Sequence, residues 1–340
     1  MTVWAFSTTP SRLCDARAVT LTLEPSGCVE LARVIRSDLV ESRHMGAAAV
    51  VDARGELTNS LGDTGALIYP RSTLKPLQAL AVLRAGAPLD GARLVLATAS
   101  HAGGPEHLEV VRSILDLAGL SPDDLQCPID WPLGRHNVNE LVRAGAGPSR
   151  LHMNCSGKHA AFLLASVTNG WSTADYLEPS HPLQMLICDT IAEFTGESIE
   201  HSGTDGCGAP VHAATLAGLA RGIGRVSGAK TGHEAELTAA IREYPWAIDG
   251  AGRANTVVIE KLGVIAKLGA EGVLVLGAPS GTAVAVKILD GSLRAATLVA
   301  LELLVRAGEV TRDAASSVLD ESLEPVLGGG RVVGAIETAF

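Results

Sequence analysis

The sequence predicts a mixed α/β (α+β) protein, with one sheet assembled from both ends of the chain around a mostly helical middle. Three observations carry that expectation. Strand-like runs lie near the front and the back, the stretch between them repeats its apolar residues at helical spacing, and the apolar complement is almost wholly aliphatic: 47% of residues are hydrophobic, 3% aromatic, and 37 are glycines that permit close backbone approach. A chain of 340 residues can bury a sizeable core, and no Ser/Pro-rich or charge-rich linker divides it. The expected organisation is an N-terminal segment 1–28 of unassigned role followed by one two-lobed unit, 29–340. Its sheet lobe is drawn from 29–75 and 250–340, and its helical lobe from 76–249.

Residues 29–35 and 47–51 read as strands, with Asp52-Ala53-Arg54-Gly55 as a turn. Leu94-Val95-Leu96-Ala97 is a further strand-like run. Pro105 opens a helix with Leu108, Val111, Ile114, Leu115 and Ala118 on one face and Gly119 as its stop. Residues 156–168 repeat the pattern, with Gly170 as terminator. Strands return at 272–277 and 282–288, Asp290-Gly291 turns the chain, and an Ala/Leu-rich helix follows at 295–306. Gly328-Gly329-Gly330 reads as a turn between strands.

A net charge of −10 and the lack of a basic stripe interleaved with aromatics argue against a nucleic-acid partner. Apolar runs are strand-sized, and the opening residues lack a basic-then-apolar leader, so the expected location is cytoplasmic with no membrane partner. Six cysteines are too sparse for a disulfide scaffold and are expected to be reduced. Four read as small core residues. Cys155 and Cys207 differ because each lies beside glycine and possible metal ligands.

Chemistry concentrates in five islands. Ser72 and Lys75 are three apart, so on a helix they share a face, and Pro76 places that face at a helix start, where free N–H groups stabilise an oxyanion. The same spacing also describes an exposed helix start with a solvated lysine. For Lys75 to serve as a base its pKa must fall from about 10.4, which burial or a nearby cation such as Lys267 would achieve. Ser100, after the Leu94–Ala97 run, could relay protons or be a turn serine. Lys230-Thr231-Gly232 competes with Lys267, but its surroundings read as a polar loop. Cys155 precedes a helix start, a position that favours thiolate, and Cys207 lies in Asp205-Gly206-Cys207-Gly208. Two thiolates completed by Lys158 or Asp205 would suit Zn²⁺, and two unrelated buried thiols remain the alternative. His159 is either a substrate contact or a structural histidine.

Together these islands resemble the Rhizobium etli type of L-asparaginase, the asparaginase II family. The match includes Glu41-Ser42-Arg43-His44, Pro70-Arg71-Ser72 with Lys75-Pro76-Leu77-Gln78, Ser100-His101 with Glu106-His107, Cys155-Ser156-Gly157-Lys158-His159, Asp205-Gly206-Cys207-Gly208, and Lys267 with Gly269-Ala270-Glu271-Gly272. The resemblance implies a fold related to serine β-lactamases and glutaminases: a largely antiparallel sheet flanked by helices, with a helical lobe. It implies catalytic pairs Ser72 with Lys75 and Ser100 with Lys267, zinc held by Cys155, Lys158 and Cys207 with Asp205 in or next to the shell, and a homodimer. The expected reaction is hydrolysis of L-asparagine through an ester on Ser72, with Lys75 as base and zinc in a positional role. Gly269 and Ala270 would help form the oxyanion hole, and Arg71, His159 and Glu271 would hold the substrate's charged ends. Two other readings use the same residues: another serine amidohydrolase of β-lactamase or glutaminase type, and an inactive amino-acid or metal binder.

Overall fold

A computed structural model describes residues 22–340, so Cys14 and residues 1–21 of the expected N-terminal segment lie outside the described residues. The front of the chain forms β1 (Val29–Arg36), β2 (Leu39–Val51), β3 (Leu57–Leu61) and the short β4 (Leu67–Ile68). A 3-10 turn at Arg71–Leu74 then leads into α1 (Lys75–Arg84), α2 (Gly91–Thr98), α3 (Pro105–Ala118), α4 (Arg135–Arg143), α5 (Ser156–Thr168) and α6 (Pro182–Thr195). Three short strands, β5 (Ser202–Thr204), β6 (Pro210–His212) and β7 (Ala214–Thr215), precede α7 (Leu216–Gly228), α8 (Gly232–Glu243) and α9 (Ala254–Leu262). The back supplies β8 (Ile265–Gly269), β9 (Val273–Gly277), β10 (Ala283–Ile288), α10 (Ala296–Arg306), α11 (Arg312–Ser322), β11 (Val326–Gly328) and β12 (Arg331–Thr338).

The main sheet is antiparallel throughout and runs β11-β12-β1-β2-β10-β9-β8, with β3 on the second half of β2. Front and back strands interleave: Val51 pairs with Ala283 and Ala32 with Thr338. Every residue of β9 is buried, as a strand covered on both faces requires, and α7 and α10 both pack on β9 and β10. Gly46 marks where β2 passes from β1 to β10; a Cβ there would stand 2.1 Å from the Lys287 carbonyl oxygen.

The helices follow their sequence signals. Pro105 opens α3, which buries Val111, Ile114, Leu115 and Ala118, and Gly119 closes it at φ +66°. All of α1 except Arg84 is buried, as is α5 from Ser156 to Ser166, so these two helices lie inside the helical layer rather than on it. One expectation fails. Leu94–Ala97 belongs to helix α2, because a short run that is apolar on every side fits a buried helix as well as a strand. Lys230 lies just before α8 and donates to the Pro279 carbonyl at 2.8 Å, away from the other candidate groups.

Candidate active site

Four pieces of backbone converge where β8, an edge strand, meets the amino ends of α1 and α5 and the exit of α2. Two glycines set their spacing. A Cβ at Gly269 on β8 would stand 2.8 Å from the Pro70 carbonyl oxygen and 3.4 Å from Ser72 N, so only glycine lets the 3-10 turn lie against that strand. A Cβ at Gly157 would stand 2.6 Å from the Leu96 carbonyl oxygen, so the glycine of Cys155-Ser156-Gly157-Lys158-His159 lets α5 approach α2. Arg71, just before Ser72, has φ +56°, a left-handed conformation that costs on the order of 1 kcal/mol or more in a residue with a side chain. Its guanidinium Nε donates to Asp205 Oδ1 at 2.6 Å, which ties down the strained turn.

Ser100 lies at the centre of the cluster. Its Oγ is 3.0 Å from Lys75 Nζ and 2.9 Å from Lys267 Nζ, with both amines almost wholly buried. Lys75 also donates to the Ala99 carbonyl and to Cys155 Sγ at 3.1 Å, so its three donors are all engaged. Lys267 donates in addition to the Leu268 carbonyl at 2.8 Å. Burial, reinforced by the nearby Lys75 charge, pushes the Lys267 amine down to about 7. The amine tuned to neutral pH is therefore Lys267, the residue the sequence reading cast as helper to Lys75. No hydrogen bond joins Ser72 Oγ to either lysine. Ser72 is half-buried on the cavity wall, one turn ahead of α1.

Behind Ser100 lies the thiol group. Lys158 Nζ donates to Cys207 Sγ at 3.0 Å, Asp205 Oδ2 is 3.9 Å from the same sulfur, and Cys155 and Cys207 are neighbouring free thiols. The Cys155 hydrogen bond, aided by the Lys158 ammonium, drives Cys207 far below the ordinary thiol range. The contact with Cys207 and burial hold Cys155 well above it, and its Sγ donates to Asn154 Oδ1 at 2.9 Å. The downward shift expected at Cys155 is found at Cys207 instead. Burial works against a charge on Lys158, and the two sulfurs overcome it, leaving its pKa raised.

Among the described residues no three His, Cys, Asp or Glu side chains are grouped to hold a metal, so an ion here needs Lys158 as a ligand. The donor chemistry of Cys155, Cys207 and Lys158, two sulfurs and an amine already in contact and shielded from water, fits a borderline-soft ion such as zinc.

Ser72, Ser100, Cys155, Asp205, Cys207, Gly269 and Ala270 all face one cavity of about 400 Å³. Arg71 borders it and also a second cavity of about 530 Å³ lined by Leu67, Tyr69, His201 and Glu271. Two expected substrate contacts stand apart from the first cavity. His159 is fully buried, its Nδ1 2.8 Å from the Tyr176 hydroxyl, and does not reach the wall. Glu271 is exposed and 4.0 Å from Arg71, on the side of the second cavity. The sequence reading missed Asp249, Arg253 and Asn255, which line the first cavity together. Asn255 Oδ1 accepts from Leu268 N at 2.9 Å, which fixes the amide and leaves Nδ2 free to donate. Their signal was a cluster of polar residues broken by Gly250 and Gly252 between Ile248 and an apolar helix, a pattern shared with ordinary loops.

The sequence pattern of L-asparaginase II matches residues 32–338 of this chain. Among curated proteins no sequence matches it. Similar solved structures include Mglu in its native form, at 15% identity and TM-score 0.38 over 78% of this chain. They also include a β-lactamase from Mycobacterium bovis, at 18% identity and TM-score 0.43 over 81% of this chain and 94% of that one. A Bacillus glutaminase, at 13% identity and TM-score 0.37, covers 78% of this chain and 92% of its own. The chain spans 65% of the length of Mglu. No described helix is long and apolar enough to cross a membrane.

Proposed function

The chain belongs to the L-asparaginase II family, and from that premise we propose that it hydrolyses L-asparagine to L-aspartate and ammonia through a serine ester. The observation that carries this reading is the placement of Ser100 Oγ between two buried amines, one of them tuned to about 7, on the wall of a cavity that also holds Ser72. Such a group can take a proton from a hydroxyl and return it to departing ammonia near neutral pH.

In the proposed reaction Ser72 Oγ attacks the side-chain amide carbon. The serine proton passes toward the lysines, the C–O bond forms, and the C–N bond breaks as ammonia takes a proton relayed by Ser100 and Lys267. Water then cleaves the ester and releases aspartate. In this reading the N–H groups of Ser72 and Ala270 would form the oxyanion hole, where each such donor contributes about 3 kcal/mol. A half-buried position on the cavity wall and the close approach of Gly269 support Ser72 as nucleophile. A specific observation favours a second reading: both amines bond to Ser100 and neither to Ser72, which would make Ser100 the acylated group.

Zinc, held by Cys155, Lys158 and Cys207 with Asp205 alongside, supplies when bound a fixed positive charge behind the serines. Lys158 must lose its proton to bind it, and Cys155 must lose its own, so calorimetry in buffers of different ionisation heat should record protons released per ion. A cytoplasmic homodimer completes the proposal.

Ammonia release from L-asparagine and L-glutamine by the wild type, Ser72→Ala and Ser100→Ala tests the reading. Mass spectrometry of acid-quenched turnover then locates the ester. The expected result is asparagine hydrolysis with the ester on Ser72. An ester on the peptide carrying Ser100 would select the second reading, and a wild type that releases no ammonia from either amide would remove the enzyme reading.

A further inference from the structure

Asp249 is a buried carboxylate with one oxygen unused. It follows the 3-10 turn Pro245–Ile248 and is 2% exposed, yet it lines the cavity that holds both serines. Its backbone is locked to the catalytic segment: Ser100 N donates to the Ile248 carbonyl at 3.0 Å and Ala102 N to the Asp249 carbonyl at 2.6 Å. Gly250, at φ +141°, makes this possible, since a Cβ there would stand 2.9 Å from Ala102 Cβ. Oδ1 accepts from Arg253 Nε, and Oδ2 has no partner.

A carboxylate oxygen shut away without a donor is costly, on a scale that folding does not ordinarily leave uncompensated. The other cavity carboxylates lack that feature or that burial. Asp205 is bonded to Arg71 and to Gly206 N, and Asp130 is exposed and accepts from Trp131 N. Arg253 complements Asp249. It commits Nε to the pair, donates through no other side-chain nitrogen, and borders the same cavity. An unused carboxylate oxygen beside unused guanidinium donors is the charge pattern complementary to a zwitterion.

We propose that Asp249 and Arg253 form the specificity site for the head of an α-amino acid, with Asp249 Oδ2 receiving the α-ammonium and Arg253 the α-carboxylate. The inference rests on the amidohydrolase reading for its reaction, but the recognition it describes is testable by binding alone. The head group then sits against the Ser100–Ala102 segment, and the side-chain amide extends toward the serines. The neighbouring Lys267 offers Asp249 a competing role as a support for that amine, and the test separates the two.

The experiment compares pairs of compounds that differ only in the α-ammonium, using the full chain, its Asp249→Asn variant and its Asp249→Ser variant. L-Aspartate against succinate reads binding by calorimetry, and L-asparagine against succinamate reads kcat/KM. The wild type should prefer the amino compound by about 10- to 100-fold, the range of a charge-assisted hydrogen bond, and both variants should lose most of that preference. Variants that keep it, or a wild type that never had it, would overturn the proposal. So would variants that lose both substrates equally while the pH profile moves, since that result assigns Asp249 to Lys267. If the wild type binds aspartate over succinate in an Asp249-dependent way but hydrolyses neither amide, the recognition site stands and the asparaginase reading falls. The wild-type preference requires no mutant, so a variant that does not fold leaves the proposal refutable.

Discussion

Strand β9 and the three lysines clustered near Ser100 are equally closed to water and are built on opposite terms. β9 buries Val273, Leu274, Val275 and Leu276 with no side-chain polar atom among them. The cluster buries Lys75, Lys158 and Lys267 to 1% exposure or less, each held by named sulfur, hydroxyl or carbonyl partners. Apolar packing stabilises in proportion to the area it buries, whereas buried charges at best break even against apolar groups of the same shape. The difference separates the part of the molecule that holds the fold from the part that holds the chemistry.

The contrast is sharpest at Lys267. Replacing it with Met should reduce kcat by about 10³-fold or more while leaving the melting temperature unchanged or higher. A variant as active as the wild type would erase the distinction. The same residue makes a pH argument with a definite sign. Its folded pKa of about 7 lies below the roughly 10.4 of an unfolded lysine, so between those values the unfolded chain holds a proton the folded chain lacks. Stability should therefore rise with pH across that window, relieving a penalty of roughly 5 kcal/mol that is fully present below pH 7. Activity should fall below about pH 7 as the amine becomes charged. Denaturant melts from pH 6 to 10 should show the slope in the wild type and a weaker one in Lys267→Met.

In the sheet the pattern inverts. Leu276→Ala should cost about 3 kcal/mol of unfolding free energy in urea melts, with kcat at saturating substrate nearly unchanged. Gly157→Ala joins the two regions. Its Cβ would meet the Leu96 carbonyl, so about 2 kcal/mol of stability and part of the activity should be lost together as α5 moves away from α2.

Much of this was legible in the residues. The aliphatic runs at both ends predict the shared sheet, and Pro105 and Gly119 predict α3 to the residue. The placing of Ser100, Lys267 and the Cys155–Cys207 pair around one point followed from the family resemblance, because spacing alone cannot show that residue 100 meets residue 267. Leu94–Ala97 misled because a helix buried on all sides has no polar face to betray its period. The opposite shifts of Cys155 and Cys207 were not legible, since they arise at a contact that only folding creates. Asp249 was invisible for a similar reason: an aspartate before glycine reads as a turn until its neighbours are seen to leave one oxygen bare.

The interleaved sheet has a consequence for how the polypeptide is made. β2 finds β10, and β1 finds β12, only after roughly two hundred or more intervening residues have left the ribosome. Until then the first hairpin carries open edges, with the apolar stretch 47–51 waiting for a neighbour that has not been synthesised. Association of such long-range partners is slow, so the nascent chain passes through an interval in which chaperone protection or self-association decides its yield.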